Sequence, residues 1–216
     1  MKRKNVLLLS LFCSLSLFSQ EKLQNRFLVS ADVGIGLLVG NSNLSPVNPE
    51  YRNEYKNGIS ANLKVLYLLS KRMGLGVKYN YFGTSGKYEL VGGNVNYEDN
   101  VSLHYIAPQF ELETPLTSHL SLINTVGAGY MLYNNQADLL RWKMSTNAFA
   151  ANIDMMFNYK ITQKFSIRIG ATYLAGIGFK HVKQTSDGIE SSSDWEKERR
   201  IKIHRIDCSI GGIVYF

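Results

Sequence analysis

The stretch 165–179 reads FSIRIGATYLAGIGF, and its two interleaved halves decide the architecture. One half is Phe165, Ile167, Ile169, Ala171, Tyr173, Ala175, Ile177 and Phe179; the other holds Ser166, Arg168, Gly170, Thr172, Gly176 and Gly178. Successive side chains of a strand point to opposite faces, so apolar residues at every second position mark a strand with one apolar face. A helix would group them at steps of three and four.

The alternation recurs along the chain, over 27–37, 59–69, 75–81, 120–132, 149–159 and 206–216. One further run, 101–112, is less clean. Val101, Leu103, Tyr105 and Ala107 suit one face, whereas Ile106, Pro108, Phe110 and Leu112 suit the other. Pro108 lacks a ladder donor, and a bulge near it would switch the phase; the sequence leaves the phase around it open. The total is eight strands. Long polar stretches (41–56, 84–100, 134–146, 181–199) follow the first, third, fifth and seventh strands. Short ones (70–73, 114–119, 162–164) follow the second, fourth and sixth. This predicts an antiparallel up-and-down meander with its long loops at one end and both chain ends at the other.

Composition narrows the class. The 216 residues are 45% hydrophobic and only 19% charged, against about 25% charged in soluble domains. That length suits one domain. No internal run reaches the ~18 apolar residues of a spanning helix, and branched and aromatic residues throughout the chain exclude disorder. Lys2, Arg3 and Lys4 before the apolar run 6–18 read as a signal peptide over residues 1–19, leaving a barrel domain over 20–216. Loss of those three cations takes the formal net charge from +7 to +4. The rest form no basic cluster, which excludes nucleic acid as a partner. Only Cys208 remains, so neither a disulfide nor a cysteine metal site is expected.

Alternation alone does not say which face is wet. A water-facing exterior would carry many long Lys and Glu side chains. Here the second face is mostly Gly, Ser, Thr, Asn and Ala, with isolated charges at Asp32, Lys64, Lys78, Asp154, Arg168, Arg205 and Asp207. Small residues suit the crowded inside of an eight-stranded barrel, and charges there need partners. Asp32 is expected to face Lys64, with Arg205 and Asp207 near it, and Asp154 to face Arg168. The bulky face, with Phe27, Tyr67, Tyr159, Phe165 and Phe216 at one rim and Tyr81, Tyr130, Phe149 and Phe179 at the other, matches a lipid belt with two aromatic girdles. The fold class is therefore all-β: an eight-stranded antiparallel up-and-down transmembrane β-barrel, whose closure satisfies every backbone donor in lipid.

The signal segment, the eight amphipathic strands and the ending Val214-Tyr215-Phe216 resemble the small outer-membrane barrels of Gram-negative bacteria, and most of all the broad PorT-like outer-membrane β-barrel group. The resemblance implies location in the cell outer membrane, with termini periplasmic and long loops outside. Phe216, with Val214 and Ile210 in phase, resembles the C-terminal signal read by the barrel-insertion machinery.

Small barrels of this kind include lipid A-modifying enzymes. His119 and Ser121 resemble the His-x-Ser spacing of lipid A deacylases, and Ser102 with His104 is a second pair. No obvious acid shares the strand of His119, a partner acid to orient the base is missing for His104 as well, and His119 falls at the short-turn end. His181 and His204 lack the further ligands a metal needs. No catalytic residue, metal or cofactor is assigned. The expected role is non-catalytic: structural, adhesive or secretion-accessory, acting through the extracellular loops. A lipid A-modifying hydrolase or acyltransferase using a His/Ser pair is the alternative. Expected partners are outer-membrane lipid and lipopolysaccharide, whose phosphates suit Arg141, Lys143, Lys197, Arg199 and Arg200, the insertion machinery during assembly, and an extracellular or envelope protein.

Overall fold

A computed structural model of the chain describes residues 26–40, 42, 44, 55–89, 96–137, 142–177, 179–186, 188–194 and 201–216. The leader read over residues 1–19 lies outside them, as do Arg141, Lys197, Arg199 and Arg200. The strands are β1 (Phe27–Leu38), β2 (Asn57–Leu68), β3 (Met73–Glu89), β4 (Asn96–Pro115), β5 (Leu120–Ala137), β6 (Trp142–Lys160), β7 (Phe165–Ile177), a short hairpin of β8 (His181–Ser186) and β9 (Ile189–Asp194), and β10 (Ile203–Tyr215). β1 to β7 pair in sequence order, and β10 joins β7 to β1, so eight antiparallel strands close into a barrel.

Tight turns join the strands at one end. The Thr117 and Thr162 hydroxyls accept the backbone N–H of Leu120 and Phe165, each at 3.0 Å, which tethers two of the turns. The two outermost strands close at the same end, where Arg26 N–H donates to the Phe216 carbonyl at 2.8 Å. Paired residues taken around the wall, Leu28, Leu66, Gly76, Gln109, Gly127, Asn152, Leu174 and Arg205, lead back to β1 at Leu38. The path has climbed from 28 to 38, a stagger of ten residues, and such a stagger tilts the strands.

The bulky face points outward. Val33, Ile59, Val77, Ile153, Ile169 and Ile210 lie on it, each between 48% and 70% exposed. No water-soluble protein tolerates so continuous an apolar exterior. The small and polar face fills the lumen.

Three expectations need correction. β4 has no bulge and no change of phase: its pairing with β3 runs unbroken from Met73↔Leu112 to Glu89↔Asn96. Val101, Leu103, Tyr105 and Ala107 point inward and Ile106, Phe110 and Leu112 outward in one continuous alternation. What switches is the environment, since the lumen near the long loops is apolar. Phe179 is not a girdle residue: β7 ends at Ile177 and the ring is fully buried. The connections are also shorter than their polarity suggests, because β3 to β6 continue beyond the lipid belt and the last one contains the β8–β9 hairpin. Strands that rise into water can be polar on their outer face and still pair through their backbones.

Candidate functional site

Inside the barrel, side chains stack in three layers. At the short-turn end Leu28, Leu66, Ile123, Met156 and Ile213 form a small apolar cluster, with Leu68 and Tyr215 against it. At the long-loop end a larger cluster gathers Phe82, Leu103, Tyr105, Met131, Tyr133 and Ile203 from the wall with Leu44, Tyr55, Phe179 and Ile201 from the connections. Between them lies a belt of buried charge.

All seven charged residues expected inside are there, each at most 3% exposed. Their pairing differs from the sequence expectation. Arg168 grips both oxygens of Asp32 instead of reaching Asp154. Asp154 accepts Lys78 Nζ at 2.8 Å and Asn152 Nδ2 at 2.8 Å. Arg205 donates from Nε and Nη2 to Asp207, at 2.6 and 2.8 Å, with its guanidinium 4.3 Å above the Phe82 ring. Asp207 also accepts the Ser60 hydroxyl at 2.8 Å. Lys64 pairs with Glu111, a residue the sequence reading did not single out. Glu111 lies on β4, whose faces were ambiguous. Lys64 and Lys78 are register partners on β2 and β3, and Glu111 and Asp154 offset their mutual repulsion. Four acids (Asp32, Glu111, Asp154, Asp207) match four bases (Lys64, Lys78, Arg168, Arg205), so the belt is neutral.

Above the belt, Asp99 is a buried carboxylate with no cation in its hydrogen-bonding shell among the described residues. Tyr55 donates to its Oδ2 at 2.6 Å and Asn135 Nδ2 at 3.1 Å, while Oδ1 has no partner. Burial pushes its pKa above 3.8, against the lowering effect of those two donors.

The histidine pairs do not assemble as nucleophile and base. His119 sits in the turn 116–119, with Nδ1 at 2.9 Å from the Ser118 hydroxyl and its ring stacked on Tyr159, whereas Ser121 faces the lumen, where Asn158 bonds it. His104 and His204 lie on the outer face, and their Nδ1 atoms meet the Tyr79 and Tyr173 hydroxyls, each at 2.8 Å. These polar pairs sit at the upper rim of the apolar belt. His181 and Lys180 instead hold Asp194 at the base of the hairpin, at 2.8 and 3.0 Å, and these contacts keep its carboxylate below the usual range. Among the described residues no three His, Cys, Asp or Glu side chains converge to hold a metal ion.

The insertion-signal residues share the outer face of β10: Ile210 is 53% exposed, Val214 39%, and Phe216, just beyond the strand, 64%. The hairpin was the main feature missed. β8 pairs with the end of β6 above the point where β7 has left it, through Lys143↔Thr185 to Thr146↔Val182. Its turn is made by Gly188, at a φ of +83°, a conformation glycine adopts without strain. The sequence signal was the turn pair Asp187-Gly188 alone.

No protein-family profile and no curated protein matches the chain. Solved structures do. A major outer membrane protein from Thermus thermophilus superposes with a TM-score of 0.63 at 11% identity, over 90% of this chain and 100% of that one. Neisserial surface protein A gives a TM-score of 0.52 at 14% identity, over 88% and 97%. The fold is that of an outer-membrane β-barrel. The outer membrane protease OmpT from Escherichia coli also matches, with a TM-score of 0.50 at 7% identity over 92% and 100%. At such identities the likeness is one of fold. Together with the apolar exterior, that fold locates the chain in the outer membrane.

Proposed function

We propose that this protein is a non-catalytic barrel of the Gram-negative outer membrane, of PorT-like type, serving a structural, adhesive or secretion-accessory role. Its short turns face the periplasm and its long-loop end stands outside the cell, where an extracellular or envelope protein docks. Residues 1–19 direct export, and Ile210, Val214 and Phe216 present the strand recognised by the insertion machinery. One observation carries the reading: the lumen is filled, with a neutral ion-pair belt capped by apolar clusters on both sides. An eight-stranded barrel has little room to spare, and here the charged groups of the belt pair with one another. What remains free to act is the sheet that rises beyond the lipid.

The test replaces residues 182–193 with a short Gly-Ser link and compares cells carrying this variant, the intact protein or a deletion. The expected result is an unchanged barrel mobility shift in unboiled gels, loss of crosslinks to envelope proteins, and an unchanged lipid A acylation profile in the deletion strain. An altered acylation profile overturns the non-catalytic reading. Crosslinks that survive hairpin replacement overturn docking through this region.

A further inference from the structure

Two concave features lie one above the other on the outer face of β4, β5 and β6. The lower is a groove of about 760 Å³ within the apolar belt, walled by Val77, Ile106, Pro108, Tyr130 and Phe149. Its floor is a thinning of the wall. The β4–β5 ladder passes from Ile106↔Tyr130 to Gln109↔Gly127 without pairs at Ala107 and Pro108, and Pro108 has no N–H to offer. Gly129 lies against the Ile106 carbonyl and Ala107 so closely that a Cβ there would collide with them. Asn147 closes the top of this groove.

The upper feature is a polar cavity of about 550 Å³ where β5 and β6 meet the β8–β9 hairpin. Gln136, Lys143, Ser145, Lys183, Thr185 and Ser192 contribute to it, all from the outer face by register. Glu190 lines it from the outermost strand. Neither lysine forms an ion pair with a described residue. Along β6, Ser145 lies two residues and Lys143 four residues beyond Asn147, about 7 and 13 Å at strand spacing. An apolar groove, a rung of amides and hydroxyls, and then two cations thus follow in order away from the lipid.

We propose that this face binds one lipid of the outer leaflet whose sugar headgroup carries phosphate. An acyl chain lies in the Val77–Phe149 groove, sugar hydroxyls meet Asn147, Asn134 and Ser145, and the phosphate sits between Lys143 and Lys183. A diacyl phospholipid fits less well, because its phosphate lies at the acyl boundary, beside Asn147 and below both lysines. The assignment of this face to the outer leaflet rests on the orientation proposed above.

The test measures retention of bisphosphorylated lipid A, dephosphorylated lipid A and phosphatidylglycerol by the folded barrel in detergent, using native mass spectrometry. Wild type should prefer bisphosphorylated lipid A. K143Q/K183Q should lose about ten-fold in that preference, as two solvent-exposed charge pairs warrant, and should hold the dephosphorylated form as before. V77W, an apolar filling of the groove, should weaken both lipid A forms alike. Equal retention of phosphorylated and dephosphorylated lipid A by wild type, preference for phosphatidylglycerol, or an unaffected double variant overturns the site. Orientation is read separately, by labelling S191C/C208S in intact cells with a membrane-impermeant maleimide. Absence of labelling overturns the outer-leaflet assignment, whereas labelling without lipid discrimination leaves the orientation standing and removes the site.

Discussion

The lower and upper halves of the barrel wall are built by opposite rules. Below a line through Leu37, Ile59, Tyr81, Ile106, Leu132, Phe149 and Ile206, apolar side chains point out and the charged belt points in. Above it the outer face carries residues such as Asn100, Ser102, Asn134, Lys143 and Ser145, while Phe82, Leu103, Met131, Tyr133 and Ile203 point in. β4 and β5 cross the line without breaking alternation. The backbone has one geometry throughout, and only the solvent changes. Below the line oil outside takes up the apolar face. Above it water does not, so the same chemistry moves to the interior, where burial stabilises by about 25 cal/mol per Å².

The sharpest way to break this comparison is in the lower half's interior. Asp207→Ala strands Arg205 in a site where it is fully buried, and loss of one partner of a buried pair costs about 3–5 kcal/mol. Denaturant unfolding of the barrel in lipid vesicles measures it. A cost under about 1 kcal/mol would mean that Arg205 is screened by water and that its pairing with Asp207 behaves as a surface ion pair.

A second pair of changes compares the outer faces. Val33→Arg puts a cation on the lipid face and should cost about 2–4 kcal/mol. Ser102→Arg, on the same outward face above the line, should stay within about 0.5 kcal/mol. Equal costs in the same unfolding assay would erase the boundary.

The smallest effect is a pH slope in the upper interior. Asp99 has a folded pKa raised by burial, so in the window above 3.8 the folded state holds its proton more tightly than the unfolded chain does. Its contribution therefore falls as pH rises through that window and recovers on acidification. Asp99→Asn should flatten this part of the stability profile and raise stability at neutral pH relative to the parent. Parallel profiles for the two proteins would place Asp99 in contact with water.

The strand faces were legible because alternation with period two is a local signal. Val33 and Asp32 could be assigned outward and inward from their immediate neighbours. The partners of the lumen charges were not legible. Asp32 meets Arg168 across the β10 strand between them, and Lys64 reaches Glu111 on a strand two away; the stagger and curvature of a closed wall decide such meetings. Proximity in a flat sheet favoured Lys64 for Asp32 instead. β4 was misread for a related reason: its sequence has apolar residues on both faces, and nothing local says that the surroundings change at Ile106. The hairpin was hidden by polarity, since 189–194 reads IESSSD and all six residues are exposed. A strand with no buried face gives no periodic signal.

The line where the wall changes character also fixes how deep the protein rides. Sinking by one repeat of two residues, about 7 Å along each strand, would drag Asn134, Asn147 and His104 into hydrocarbon. Rising by the same amount would lift Ile106, Phe149 and Tyr81 into water. Both displacements are penalised at once around the whole circumference. The barrel thus carries its own waterline, and its crown stands at a constant height above the lipid.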